Sequence, residues 1–172
     1  RLEQLEQLFK ESATHTISED LIQRWERLGW TITELVDYGV VVITENKDQL
    51  QGRGMYAIRR ESLSNTIVQA PHRFYDERTG VIARKLFVEN DVYAVAWNSS
   101  HRKQIDIAHE QQHHFNAFMN ALTNHETKGV QLHGFDSGTR DGNTKSTDVI
   151  LSDSTRFPAR HAMQTAIRLK EL

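Results

Sequence analysis

From residue 65 onward, short apolar runs alternate with segments of helical period, and this alternation limits the chain to few folds. The runs "NTIVQA" (65–70), "DVYAVAW" (91–97), "GVQLH" (129–133) and "DVILS" (148–152) read as buried strands. Between them, "RTGVIARKLFVEN" and the stretch 105–124 carry helical spacing, and a last helix starts at Pro158. Strands separated by helices of roughly 10 to 20 residues imply βαβ units, because a parallel neighbour needs a crossover. The expectation is an α/β fold: a mixed, mostly parallel sheet flanked by helices, a three-layer sandwich.

The first part of the chain is different. Leu2, Leu5, Leu8 and Phe9 recur at helical spacing, and a second helix runs from an N-cap at Ser18 to Leu28, where Gly29 stops it. Strand-like runs follow at "GVVVIT" (39–44) and "GMYAIRR" (54–60), joined by "NKDQLQGRG". The expected organisation is one domain over 1–172, with 1–38 a helical N-terminal segment and 39–172 the sheet-containing core. A chain of 172 residues with 38% hydrophobic side chains and two prolines has the means to bury such a core.

Charge and cysteine content narrow the chemistry. The net charge of −2 offers no basic field for nucleic acid, and no apolar run approaches the roughly 18 residues of a membrane span. Cysteine is absent, so any metal must be held by His, Asp or Glu. Absence of cysteine suits export as well as the cytosol. A periplasmic or extracellular site is favoured, since the chain opens at Arg1 rather than Met, as after removal of a leading segment. Nine histidines are dispersed from His15 to His161.

One motif stands out at first sight. Residues 109–113, "HEQQH", match the H-E-x-x-H pattern in which two histidines one helical turn apart bind zinc beside a glutamate base. On a wheel centred on Phe115, Ala108, Phe118, Met119 and Leu122 fall within about 60° of zero, whereas His109 and His113 lie near +120° and +160°. That arrangement expects His113 to face solvent. The third ligand of the longer zincin motif is also missing, because Met119 stands six residues after His113. The pattern reads as a solvated helix face, with the zincin set His109, Glu110 and His113 kept as an alternative.

In open α/β sheets, ligands gather beyond the carboxyl ends of the strands. Those ends carry His72, Asp76 and Glu77 in "APHRFYDE", Asn98, His101 and Arg102 in "WNSSHR", and His133 and Asp136 in "LHGFD". Two histidines and a carboxylate, with a fourth position left for water, make a hydrolytic zinc site. Pro71 holds the chain extended before His72, and Gly134 lets it turn after His133.

This constellation resembles the zinc-dependent poly-γ-glutamate hydrolases, relatives of the metallocarboxypeptidases, and more remotely the N-acetylmuramoyl-L-alanine amidases. In the first of these the leading ligand pair is spaced H-x-x-x-x-E, which "HRFYDE" matches from His72 to Glu77, and "QLHGF" corresponds to the later strand-end histidine, His133. The wider run over 64–136 also resembles a family of poorly characterised bacterial proteins with such a site. The glycines that usually follow the first histidine are here Arg73 and Phe74. Beyond Asp136 the acidic residues are Asp141, Asp148, Asp153 and Glu171, none of them placed as the family's catalytic glutamate.

The resemblance implies zinc on His72, Glu77 and His133, with Asp76 the alternative carboxylate. It implies hydrolysis of amide bonds in a small peptide or peptidoglycan-type substrate. Arg102 is the group expected to clamp a substrate carboxylate or oxyanion, and His109 to contact substrate or assist proton transfer. Asp106 is expected to cap the helix after it. A non-catalytic or truncated zinc-binding domain is the reading from another class.

Overall fold

The computed structural model describes residues 2–99, 101, 103, 113–135, 149–153 and 159–170. The chain divides into two compact units, Arg1–Gly134 and Phe135–Leu172.

The first unit holds a six-stranded mixed sheet with helices on both faces. Its strands are β1 (Trp30–Leu35), β2 (Val40–Glu45), β3 (Met55–Arg59), β4 (Thr66–Ala70), β5 (Ala94–Trp97) and β6 (Lys128–Gln131), in spatial order β1-β2-β3-β5-β4-β6. β1, β2, β3 and β5 pair antiparallel in turn, while β4 runs parallel to both β5 and β6. Four strands therefore share one direction, and the carboxyl ends of β2, β4, β5 and β6 meet at one sheet edge.

The helices α1 (Leu2–Thr14), α2 (Glu19–Arg27) and α4 (His114–Leu122) cover one face, and α3 (Thr79–Glu89) covers the other. On the first face Leu8, Phe9, Trp25, Trp30, Tyr56 and Phe118 are buried together. Their rings meet edge-on or tilted, at 5.0 Å for Phe9–Trp25 and 4.7 Å for Tyr56–Phe118, geometries that suit the aromatic quadrupole. Trp25 donates its indole N–H to Ser12 Oγ at 3.0 Å, so the interface of α1 and α2 buries no unsatisfied donor there. On the second face Ala83 and Phe87 of α3 pack on Val68, Val95 and Trp97.

Local signals account for most boundaries. Ser18 caps α2 by accepting the Leu21 N–H at 3.2 Å, and Gly29 ends it in a left-handed conformation at φ 79°. Gly39, at φ 59°, closes the turn between β1 and β2.

Four expectations need correction. Trp30–Leu35 is a strand inside the segment expected to be helical, with Trp30 and Ile32 turned inward and Thr31 and Thr33 outward, the alternation of a half-buried strand. α4 starts at His114, and His113 before it is extended (φ −104°, ψ 159°), so no helix runs continuously through 105–124. β6 is exposed along its length, as an edge strand rather than a buried one. Residues 149–153 form no strand. In the second unit α5 (Arg160–Lys170) does form, two residues after Pro158, and Asp153 accepts the Ala159 N–H at 2.6 Å.

Candidate metal centre

The chain leaves β4 through Pro71 and at once makes a single helical turn: Tyr75 and Asp76 both donate their N–H to the His72 carbonyl at 2.8 Å. A turn of that pitch stacks residue i+4 over residue i. Asp76 is thereby brought over His72, and both side chains are buried. Glu77 comes about 100° further round. Its side chain is 88% exposed, and its carboxylate lies 3.7 Å from Arg78 Nε. The carboxylate that joins the histidines is therefore Asp76, and the assignment of Glu77 is corrected. The register of four rather than five residues follows from that one turn, which is too short to show a period in the sequence.

His133 arrives from the far side, just beyond β6. The Leu132 N–H donates to the Gln69 carbonyl at 2.8 Å and extends the β4–β6 pairing to the residue before it. Its Nδ1 lies 3.4 Å from Asp76 Oδ2, and His72 Nδ1 lies 3.5 Å from the same oxygen. The two imidazole rings are edge to face with centroids 5.1 Å apart. One ligand atom from each of the three residues lies within 4.8 Å of the others.

These spacings fit a shared ion better than direct hydrogen bonds. A charge-assisted N–H···O bond is about 2.7–2.9 Å long. Two donors each about 2.0–2.1 Å from a tetrahedral ion stand about 3.3–3.4 Å apart. Among the described residues Asp76 Oδ2, which is buried, has no hydrogen-bond partner, a costly state for a carboxylate oxygen unless a cation meets it. The described residues thus contain a His72–Asp76–His133 group that could hold a metal ion.

Neighbouring groups hold this geometry. Gln131 donates its amide to Gln69 Oε1 at 2.8 Å, which sets its own Oε1 3.4 Å from His133 Nε2 and leaves Nδ1 towards Asp76. The Asp76 carbonyl accepts the Thr79 hydroxyl at 2.9 Å at the start of α3. Arg78, between them, takes a left-handed conformation (φ 63°) that is uncommon outside glycine. Arg73, directly after His72, is half-buried, with its guanidinium 4.3 Å from the Phe74 ring and its charge disfavoured by burial.

Gly134 matters for a reason other than the expected turn. A Cβ there would stand 3.2 Å from Asp76 Cβ and 3.3 Å from Asp76 Cα. The Asp76 backbone is bonded on both sides and yields little. Gly134→Ala is accordingly expected to weaken metal binding about ten-fold, through a destabilising push of about 1–3 kcal/mol. Competition against a chromophoric chelator measures this. Gly129→Ala, which meets only the flexible Met119 side chain at 3.4 Å, serves as the neutral control.

The other expected site residues fare differently. Arg102, His109, Glu110, Asp106 and Asp136 lie outside the described residues. His113 is buried, not solvent-facing, and its Nδ1 accepts the Phe115 N–H at 3.3 Å as the N-cap of α4. That extended backbone departs from the helical spacing the H-E-x-x-H pattern requires.

No protein-family model, no curated protein and no solved structure matches this chain. Among the described residues no helix is long and apolar enough to cross a membrane.

Proposed function

We propose that this protein is a zinc-dependent hydrolase of amide bonds, acting on γ-linked or peptidoglycan-type peptides. The observation that carries the reading is the buried Asp76 oxygen flanked at 3.4 and 3.5 Å by two imidazole nitrogens, at the carboxyl ends of neighbouring strands. Two nitrogens and one oxygen suit zinc, and three protein ligands leave a position for water or substrate. Zinc held there supplies a water acidified towards neutrality and polarises a carbonyl. The peptide class rests on the resemblance of "HRFYDE" and "QLHGF" to the poly-γ-glutamate hydrolases.

Protein purified without a histidine tag should contain about one zinc per chain. Hydrolysis across a panel of γ-glutamyl and muramyl peptides should stop on chelation and return with added zinc. One observation favours a second reading, a metal-binding domain without turnover. Among the described residues, no carboxylate other than Asp76 joins the group to act as a base. Zinc-replete protein that cleaves nothing in the panel would select that second reading, and protein with no bound metal would remove both.

A further inference from the structure

We propose that His101 is the hydrogen-bond donor that receives the substrate carbonyl oxygen opposite the His72–Asp76–His133 group. The assignment rests on the metal reading and adds a catalytic residue to it.

The topology brings two loops to one end of the sheet. After β4 the chain leaves to α3 on one face, and after β5 it leads to α4 on the other. β4 and β5 are adjacent and parallel, so their carboxyl ends form a topological switch point, where two loops diverge and a ligand finds room. His72 and Asp76 lie in the first loop and His101 in the second.

A direct contact joins the two loops. The Tyr75 ring meets the His101 ring edge to face, with centroids 5.6 Å apart and planes at 84°. Tyr75 immediately precedes Asp76, so this contact sets the His101 ring against the residue next to the candidate ligand. Tyr75 and Phe74 are both about half-exposed there, which leaves an apolar border open to an incoming ligand.

The start of the His101 loop is held firmly. Ser99 donates its hydroxyl to the buried Glu45 carboxylate and accepts the Gly54 N–H at 2.9 Å. Glu45 is in turn bonded by Arg53 Nε at 2.7 Å. A catalytic donor works best when it is fixed in advance, and Ser99, two residues before His101, is held in this way.

The tautomer follows from one more bond. His101 Nδ1 accepts the Lys103 N–H at 3.2 Å. A neutral imidazole that accepts at Nδ1 carries its proton on Nε2, so His101 presents an N–H donor rather than a base. A neutral N–H of this kind polarises a carbonyl and stabilises its developing negative charge without transferring the proton.

The test uses zinc-loaded protein and acetohydroxamate, a metal-binding probe whose oxygens accept hydrogen bonds. By calorimetry, His101→Ala should weaken acetohydroxamate about ten-fold, the loss of one hydrogen bond to a charged oxygen, with zinc content unchanged. His101→Gln, which restores a side-chain N–H, should recover part of that affinity. Unchanged affinity in His101→Ala overturns the proposal. Loss of zinc from His101→Ala also overturns it, because His101 is then a ligand rather than a donor. Wild-type protein that binds no zinc overturns this inference together with the metal reading, whereas normal zinc with unaltered probe binding removes this inference alone.

Discussion

His72→Ala, Asp76→Asn and His133→Ala should each abolish stoichiometric zinc binding, whereas Glu77→Gln should leave it intact. Removing one of three ligands costs the ion a bond that water replaces poorly, so affinity is expected to fall at least a hundred-fold. Asp76→Asn is the sharpest of these variants. It keeps the size of the side chain, and with it the packing against Gly134, while it removes the negative charge. Metal analysis after dialysis reads each variant directly. His113→Ala separates this site from the zincin alternative. Its ring caps α4, so its loss should cost about 1 kcal/mol of stability and leave zinc unchanged. Zinc lost from His113→Ala and retained by His72→Ala would move the centre to the H-E-x-x-H pattern.

The contrast between Asp76 and Glu77 also shows where sequence reading reaches its limit. Strand-end logic found both histidines, because a strand end is marked by an apolar run that stops, and "TIVQA" and "GVQL" stop clearly. Choosing between adjacent carboxylates required knowing that 72–76 is one helical turn, and a five-residue turn has too short a period to see. β1 is legible only in part. "WTITEL" alternates apolar and polar residues, but it follows two helices and ends in a 3-10 turn. His113 is hidden for another reason. A helical wheel holds only within one continuous helix, and a histidine accepting a backbone N–H at its own cap has no signature in apolar periodicity. The mixed sheet with helices on both faces, by contrast, followed from the order of elements alone.

The largest expected loss of stability lies at the end of β2. Glu45→Gln should destabilise the first unit by about 3 kcal/mol. The Glu45 side chain is fully buried, and Arg53 is 13% exposed beside it. Arg53 also donates to the Leu28 carbonyl at 2.7 Å and lies 4.9 Å over the Trp30 ring, so it ties the α2–β1 corner to the end of β2. Neutralising Glu45 leaves that guanidinium buried without its counter-charge, which is the costly way to break such a pair. All three tryptophans, Trp25, Trp30 and Trp97, belong to the first unit, so their fluorescence during urea unfolding reports on it alone. The effect should depend on pH. Burial alone would raise the Glu45 pKa, but hydrogen bonds from Ser99, Arg53 and the Gln51 N–H outweigh it and hold it below the usual carboxylate value. A carboxylate with a lowered folded pKa contributes stability that is complete above its unfolded pKa and lost as pH falls through the folded one. The gap between wild type and Glu45→Gln should therefore be widest near neutrality and close in acid. Zinc content should be unchanged under folding conditions, since the ligands come from the ends of β4 and β6, while acetohydroxamate affinity should fall as the Ser99 anchor loosens. A stability difference below about 1 kcal/mol at neutral pH, or one that widens in acid, would show that Glu45 is not held as a charged partner of Arg53.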